Sequence, residues 1–359
     1  MIRVFLVDDS AFVRRALTRV LALEPEFQVV GEAVSGTEAL ARIPAADPDL
    51  VTLDVAMPGM DGLQTLPALL RWKPSLKVLM ISAHTREGAE ATVAALAAGA
   101  VDFIDKTTFN VMDLEYLRRE VVDRLKALAP ANRADAARAP VAAGLPARPT
   151  DLDLGRCDLC VIGASTGGPA AVQRILQALP ASFPMPVVIV QHMPIGFTRP
   201  FAQRLASLSR VRVAEAEDGM RLVPGMALIA PAGQHLRVSP NLAVVLTPEP
   251  SDAKHIPSVD VTMRTAARSR PGQVLGILLT GMGEDGAEGM VTIRAAGGVT
   301  IAESESSCVV YGMPRAAVQR GGAEWVLALS EIAELLGRAS KQDRAQDPRS
   351  RTEASIQRR

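Results

Sequence analysis

Short apolar runs alternate with amphipathic segments along the first 128 residues of the chain. The apolar runs predict strands at 2–7, 28–33, 50–54, 77–82 and 101–104. The amphipathic segments predict five helices, with clear patterns at 11–23, 63–72, 89–98 and 113–128. Strands that alternate with helices favour a parallel sheet covered by helices on both faces.

The same alternation returns between residues 156 and 338. Strands are predicted in the runs CDLCVIG, PVVIVQH, GMALIAP, LAVVLTP, QVLGILLT and GVTIAES. Helical patterns fall at 169–179, 197–208, 260–269 and 285–296. The fold class is therefore α/β, with two doubly wound, mainly parallel-sheet domains, and we expect an antiparallel pair around 226–246 in the second.

Composition changes between and after these two regions. Residues 129–155 are rich in Ala, Pro and Arg without a sustained apolar period, which is typical of a semi-extended linker. Residues 339–359 are polar and aperiodic, and we expect a disordered tail there. The two domains are therefore expected at 1–128 and 156–338.

Charge and hydropathy exclude several classes of protein. The 359 residues carry 39 basic and 39 acidic side chains, so no global field favours nucleic acid or a membrane surface. The N-terminal run MIRVFLVDDS lacks the features of a signal peptide, and no run of about 18 apolar residues predicts membrane insertion. We therefore expect a cytoplasmic protein.

Cys157 and Cys160 form a lone CxxC at the start of a strand, which favours buried core residues over a metal or redox site.

Polar side chains follow neighbouring strands of the first predicted sheet. Asp8 and Asp9 end the first strand and Asp54 ends the third, so we expect the three carboxylates at one sheet edge. Mg²⁺ suits an oxygen-only site that shares its remaining positions with phosphate. Ser82 and Lys106 bring a hydroxyl and an ammonium to the same edge. Aspartates at strand ends can be ordinary turn residues, but the full set favours a phosphoryl-transfer site.

Four motifs in this region resemble a response-regulator receiver domain: LVDDS at 6–10, LDVAMPGMDG at 53–62, ISA at 81–83 and GAVDFIDK at 99–106. The resemblance covers nearly all of residues 1–125 and implies a flavodoxin-like sheet. It implies that Asp54 accepts a phosphoryl group from a partner histidine kinase. Asp8, Asp9 and Asp54 would then hold Mg²⁺.

The same resemblance gives roles to three further side chains. It implies that Lys106 pairs with the phosphate, that Ser82 senses it, and that Phe103 is the aromatic switch residue. One position departs from the pattern, because Thr107 follows Lys106 where receivers usually carry a proline after a cis peptide. We expect this change to re-route the loop.

The stretch CVIGASTGGP at 160–169 leads from an apolar strand through a small-residue turn into a helical pattern. Such a turn either holds a phosphate on its backbone N–H groups or presents a nucleophilic side chain. A phosphate loop needs a lysine after its last glycine, whereas Pro169 follows Gly168, and Ser165 interrupts a G-x-G-x-x-G pattern. Residues 163–167 instead fit G-x-S-x-G, which makes Ser165 the candidate nucleophile.

A serine hydroxyl needs a base, and the base needs a carboxylate that fixes its tautomer. His192 ends the strand PVVIVQH as Ser165 ends CVIGAS, so it is the favoured base, with His255 in reserve. Glu284 or Asp285, after the strand QVLGILLT and its glycine turn, could supply the carboxylate. The order Ser, His, acid differs from that of common G-x-S-x-G hydrolases without excluding their chemistry.

Motifs in the second region resemble the catalytic domain of chemotaxis protein-glutamate methylesterases: GASTGGP at 163–169, VQHMP at 190–194, PSVDV at 257–261 and LTGMGEDGA at 279–287. The resemblance spans 157–337 and implies a Rossmann-like domain. It implies Ser165 as nucleophile, His192 as general base and Asp285 as its orienting acid. Met282 would give a backbone N–H to the oxyanion site, and Thr166 is a further candidate there.

The resemblance implies hydrolysis of glutamate methyl esters on methyl-accepting chemoreceptors, and deamidation of glutamines, without a cofactor for the esterase reaction. Such a protein would act transiently at receptor arrays. Two other functions stay open from the residues alone. One is a phospho-regulated hydrolase of another ester or amide, and the other is a receiver joined to a non-catalytic binding module, which predicts that Ser165, His192 and Asp285 are separated.

Overall fold

The computed structural model describes residues 1–82, 85–106, 114–129 and 154–339. Thr107, most of the predicted linker and the predicted tail after Ala339 lie outside the described residues. The chain divides into two compact units, Met1–Val141 and Ala142–Arg359. Within the described ranges, no helix combines the length and apolarity that a membrane crossing requires.

The first unit is a five-stranded parallel sheet in the order β2-β1-β3-β4-β5. Its strands are β1 (Ile2–Val7), β2 (Phe27–Ala33), β3 (Leu50–Asp54), β4 (Lys77–Ser82) and β5 (Asp102–Asp105). Its helices are α1 (Ala11–Leu21), α2 (Gly36–Ala46), α3 (Gly62–Trp72), α4 (Arg86–Ala97) and α5 (Leu114–Leu128). The predicted alternation is confirmed, and β1 and β3 are neighbours as the acidic cluster requires.

Burial explains why the strands of this sheet read as continuous apolar runs. Every residue of β3 is buried, which is the pattern of a parallel strand with helices on both faces.

Side-chain caps fix where the helices begin. Ser10 accepts a hydrogen bond from the Val13 N–H at the start of α1, and Asp61 accepts one from the Gln64 N–H at the start of α3.

The second unit is a seven-stranded sheet in the order β14-β13-β12-β6-β7-β9-β8, with a separate hairpin of β10 and β11. Its strands are β6 (Leu159–Ala164), β7 (Val187–Gln191), β8 (Arg212–Glu215), β9 (Met226–Ile229), β10 (His235–Val238), β11 (Val244–Thr247), β12 (Val274–Leu278), β13 (Val299–Glu303) and β14 (Trp325–Leu327). Its helices are α6 (Gly168–Ala178), α7 (Thr198–Leu208), α8 (Val259–Ser269), α9 (Ala287–Ala295), α10 (Met313–Gln319) and α11 (Leu329–Arg338).

Several features of this unit differ from the sequence prediction, among them the helices α10 and α11, which no predicted helical pattern covers. The expected antiparallel pair is present as β10 with β11, but β9, which starts in the same range, lies in the parallel sheet between β7 and β8. The strands β8 and β14 have no predicted counterpart, because β8 is four residues with a charge at each end and β14 has only three residues. The helix predicted at 285–296 begins at Ala287, which leaves Asp285 in the preceding turn.

Strand β6 lies at the centre of the second sheet, where the strand order changes direction. The chain continues from β6 to β7 on one side, and returns much later to β12 on the other side. The carboxyl ends of strands at such a point form the crevice in which α/β proteins bind ligands. The turn that contains Ser165 follows β6 directly. Cys157 and Cys160, also near β6, are buried as expected.

Candidate functional site

The carboxyl edge of the first sheet gathers the predicted acidic residues. One carboxylate oxygen each of Asp8, Asp9 and Asp54 lie within 4.8 Å of one another. The Nζ atom of Lys106 is 2.5 Å from Asp54 Oδ2 and 3.0 Å from Asp8 Oδ2. Asp8 and Asp54 are buried, while Asp9 is exposed. Four of the residues predicted for phosphoryl transfer therefore meet in space.

Burial makes this cluster electrostatically unfavourable on its own. The pKa of Asp54 is raised to about 6, mainly because burial desolvates the carboxylate and also because Asp8 is close, although the hydrogen bond and charge of Lys106 act against both effects. Burial likewise raises the pKa of Asp8. Two buried carboxylates paired with one ammonium retain a net negative charge, which a divalent cation would offset. The oxygen-only donor set fits Mg²⁺.

Ser82 and Phe103 occupy the positions predicted for them on neighbouring strands. Ser82 is the buried last residue of β4, and its hydroxyl donates a hydrogen bond to the Gly88 carbonyl of α4 at 3.2 Å. Phe103 lies in β5 and is buried. The effect expected of Thr107 stays a prediction, because that residue is outside the described ranges.

In the second unit, backbone contacts hold the turn that carries Ser165. The Ser165 N–H donates to the Thr280 carbonyl at 3.1 Å, and the Gly168 N–H donates to the Ser165 carbonyl at 2.7 Å. Gly167 has φ +79°, and a Cβ atom there would lie 2.6 Å from the Val309 side chain. This conformation and this crowding explain why the turn needs glycine after Ser-Thr.

Thr280, two residues after the end of β12, connects to both sides of the turn that carries Ser165. Besides accepting from Ser165, it donates its hydroxyl to the Thr166 carbonyl at 2.9 Å and accepts from the Val310 N–H at 2.9 Å. Its own N–H donates to the buried Glu303 carboxylate at 2.8 Å. Thr280 could not be predicted from the sequence, because a threonine just after a strand has no distinctive pattern.

His192 lies next to Ser165 across two paired strands. The register of β6 with β7 pairs Ala164 with Gln191, so Ser165 and His192 are the next residue on each strand. The His192 N–H donates to the Ala164 carbonyl at 3.0 Å. The ring atom Nδ1 of His192 is buried and has no hydrogen-bond partner in the described part of the chain. Within the same ranges, no hydrogen bond joins it to Ser165 Oγ.

The other ring nitrogen of His192 contacts Asp285, whose carboxylate also caps helix α8. Oδ2 of Asp285 lies 2.8 Å from His192 Nε2 and accepts from the Val259 N–H at 2.8 Å. Oδ1 accepts from the Ser258 hydroxyl at 2.8 Å and from the Asp260 N–H at 3.1 Å. The carboxylate thus accepts four hydrogen bonds. This fixes its position at the N-terminus of α8, where a negative charge is stabilised.

These contacts determine the charge of Asp285 and the tautomer of His192. Burial alone would raise the pKa of Asp285, but the hydrogen bond and charge of His192 and the two backbone N–H donors lower it to about 2. An ionised carboxylate only accepts hydrogen bonds, so Nε2 carries the imidazole proton. The Nδ1 lone pair of the neutral ring is therefore available to accept a proton.

The structure distinguishes between the alternatives that the sequence left open. Glu284 is exposed and pairs with Arg320, so Asp285 is the acid that contacts the histidine. The ring of His255 stacks on that of His192, with centroids 4.2 Å apart and planes inclined by 17°. His255 therefore supports His192 and does not replace it at Asp285.

Met282 and Thr166 flank the space beside Ser165. Met282 follows Gly281, and a Cβ atom on Gly281 would lie 2.8 Å from Ser165 Cβ. This close approach explains the glycine and places the next peptide beside the serine. In the described part of the chain, the Met282 N–H has no hydrogen-bond acceptor. Thr166 is buried, and its carbonyl is taken by Thr280.

Ser258 and His235 were missed as members of this site. Ser258 caps α8 and donates to Asp285, and its own N–H donates to Nδ1 of the buried His235 at 3.1 Å. The serine lies in the motif PSVDV, where a serine before an apolar helical pattern indicates the N-cap of a helix. The hairpin strand β10, which carries His235, thus helps to hold the helix end that binds Asp285.

Comparison with known proteins confirms both resemblances. A family model described as CheB methylesterase matches residues 160–336, and one described as response regulator receiver domain matches 4–115. A protein-glutamate methylesterase/protein-glutamine glutaminase of Lawsonia intracellularis is 43% identical over 357 residues, covering 94% of this chain and 99% of that protein. Another from Symbiobacterium thermophilum is 44% identical over 351 residues, with coverages of 94% and 97%. The crystal structure of the Thermotoga maritima CheB methylesterase catalytic domain is 41% identical, covers 50% of this chain and 97% of its own, and has a TM-score of 0.49.

Proposed function

We propose a function for this chain, which belongs to the family of protein-glutamate methylesterases/protein-glutamine glutaminases. It hydrolyses glutamate methyl esters on chemoreceptors and deamidates glutamines there. The observation that carries the proposal is the bond from His192 Nε2 to Asp285, which leaves Nδ1, at the strand end next to Ser165, without a partner among the described residues. A non-catalytic binding module would require no such pair. The domain bounds 1–128 and 156–338 remain part of the proposal.

Acyl transfer follows from the tautomer of His192. Ser165 Oγ attacks the ester carbonyl while Nδ1 of His192 takes the hydroxyl proton. The imidazolium then gives that proton to the leaving methoxide, so that methanol departs and an acyl-serine remains. Water, deprotonated by the same nitrogen, hydrolyses this acyl-enzyme to a glutamate carboxylate and free Ser165. Asp285 stabilises the imidazolium at each step.

The negative oxygen of the tetrahedral intermediate needs hydrogen-bond donors. The Met282 N–H is such a donor, since in the described ranges it has no acceptor and follows Gly281, which approaches Ser165. A preorganised donor of this kind lowers the barrier by about 3 kcal/mol. The reaction takes place on side chains and backbone groups of this chain, and we propose that the esterase step uses no cofactor.

The first unit supplies the control of this activity. Asp54 is the proposed phosphoryl acceptor, with a chemotaxis histidine kinase as donor. Asp8, Asp9 and Asp54 would hold Mg²⁺, which neutralises the oxygens of the transferred group. Lys106 then pairs with the phosphoryl oxygens in place of the Asp54 oxygen that it contacts at 2.5 Å. The protein would act on the cytoplasmic portions of receptors, transiently at their arrays.

Methanol release from methylated receptors tests the whole proposal. The wild-type protein should release methanol, and a small phosphodonor with Mg²⁺ should increase the rate. Asp54→Asn should keep the basal rate and lose the increase, whereas Asp123→Asn on an exposed part of α5 should behave as wild type. The absence of methanol from the wild-type reaction would refute the substrate, and an increase in Asp54→Asn would refute the regulatory site.

A further inference from the structure

The side chain of Gln191 lies between the backbones of the proposed nucleophile and base. Its Nε2 donates hydrogen bonds to the Ser165 carbonyl at 2.9 Å and to the His192 carbonyl at 3.1 Å. Gln191 is the last residue of β7 and is 2% exposed. We infer that Gln191 is a positioning residue that fixes the backbone of Ser165 against that of His192, and the inference rests on the proposed function.

The backbone pairing of the two strands shows why such a connection matters. The ladder between β6 and β7 reaches as far as the bond from the His192 N–H to the Ala164 carbonyl, at 3.0 Å. The chain then turns away into α6 on one side, beginning at Gly168. The Gln191 amide extends the connection by one residue on each strand, to the two residues whose side chains must exchange a proton.

The other atom of this amide shows that the arrangement has a cost in stability. Oε1 of Gln191 is buried and has no hydrogen-bond partner in the described part of the chain. A flipped amide would turn that oxygen towards the two carbonyl acceptors, so the orientation is fixed by Ser165 and His192. A buried acceptor without a donor destabilises a fold, and an apolar side chain of the same size would avoid this. The glutamine is therefore better explained by the site than by the core.

The neighbouring helix leaves room for this amide. A Cβ atom on Gly168 would lie 2.1 Å from Gln191 Oε1. Gly168 also donates its N–H to the Ser165 carbonyl at 2.7 Å, so that carbonyl accepts from the backbone and from Gln191 together. Both contacts restrain the same peptide, which is the one that carries the nucleophile.

Gln191→Met is the decisive substitution, because methionine keeps the volume and removes both the donor and the unpaired acceptor. Two rates are measured on the full-length protein: the acylation of Ser165 by p-nitrophenyl acetate, and methanol release from methylated receptors. We expect kcat to fall by about 10- to 100-fold at unchanged KM, since small errors in alignment are costly. The midpoint of urea unfolding should change little, because the variant removes the unpaired Oε1 but also leaves the His192 carbonyl without this donor, while the Ser165 carbonyl keeps the Gly168 N–H.

Two further variants make the test specific. Gln203→Met, on an exposed part of α7, changes the same atoms away from the site and should leave both rates unchanged. Gln191→Glu has the same shape but turns an oxygen towards two carbonyls, so it should lose at least as much kcat and also lower the unfolding midpoint. If Gln191→Met does not fold, the kcat of Gln191→Glu tests the inference in its place.

A wild-type kcat in Gln191→Met would overturn the inference. So would a loss that disappears when rates are normalised to the folded fraction, since that result indicates a structural role alone. A wild-type protein that is acylated by p-nitrophenyl acetate but releases no methanol would refute the proposed substrate. The acylation rates of the variants would still decide the role of Gln191.

Discussion

His192 and Asp285 are joined by a hydrogen bond of 2.8 Å between Nε2 and Oδ2. In the part of the chain that is described, the second ring nitrogen of His192 is buried and unpartnered. The acid is itself fixed by three donors from the N-terminus of α8. The N-terminus of α8, Asp285 and His192 are thus joined by hydrogen bonds, and these bonds determine which ring nitrogen carries the proton.

Replacing Asp285 by asparagine should remove both functions of the carboxylate. The amide cannot accept from all four donors, and it allows the imidazole to take the other tautomer. We expect kcat for methanol release to fall by about 10³- to 10⁴-fold. Glu284→Gln is the matched control, because Glu284 is the adjacent exposed acid, and it should keep nearly full activity. Equal losses in the two variants would contradict the assignment.

The low pKa of Asp285 predicts a pH dependence of stability. The carboxyl has a pKa of about 2 in the folded chain, below the ordinary aspartate value of 3.8. Its ionised form therefore stabilises the fold above about pH 4, by about 2 kcal/mol, and this is lost as the pH falls towards 2. Urea unfolding of wild type and Asp285→Asn should show a free-energy difference that narrows over this range. A difference that stays constant from pH 6 to pH 2 would argue against the ionised pair.

The acidic cluster of the first unit should bind a divalent cation and should lower the stability of the protein when no cation is bound. Burial raises the pKa of Asp8, so its charge at neutral pH opposes folding. Asp8→Asn should therefore raise the thermal midpoint in EDTA, and it should abolish the increase that Mg²⁺ gives the wild-type protein. Asp123→Asn, on an exposed part of α5, should change neither value. A wild-type response to Mg²⁺ in Asp8→Asn would show that the cation binds elsewhere.

The stacked ring of His255 should support the orientation of His192. His255→Ala removes the stacking surface 4.2 Å from the base and should lower kcat several-fold, whereas His255→Phe keeps a flat ring and should retain most of the activity. Single-turnover acylation with p-nitrophenyl acetate measures the effect without the receptor. Identical rates in the alanine and phenylalanine variants would mean that stacking has no part in positioning His192.

The sequence predicted the residues that lie at strand ends, for a physical reason. Apolar runs mark buried parallel strands, and parallel strands bring their carboxyl ends to one edge, so Asp8, Asp54, Ser165 and His192 could be placed from the pattern. The choice between Glu284 and Asp285 rested on a resemblance. Contacts that distinguish the two acids are visible only in the structure, because Asp285 binds the N-terminus of α8, which lies well before it in the sequence.

Other features left no signal in the chain. Gln191 is the one polar residue at the end of an apolar strand. Its amide donates to backbone carbonyls, which no sequence pattern marks. Thr280 acts through its backbone and hydroxyl on a turn more than a hundred residues earlier. The strands β8 and β14 are short and half-exposed, so their sheet pairing depends on neighbours and not on local hydrophobicity.

The most direct test of the account is methanol release from methylated receptors by Ser165→Ala, beside wild type and Ser207→Ala. Ser207 is an exposed serine on α7 whose hydroxyl donates to the Arg204 carbonyl, so its loss should leave the rate unchanged. Ser165→Ala should fold as wild type does and release no methanol above the uncatalysed rate, because no oxygen remains to form the acyl-enzyme. Methanol release by Ser165→Ala at the wild-type rate would contradict the central claim that this serine is the nucleophile.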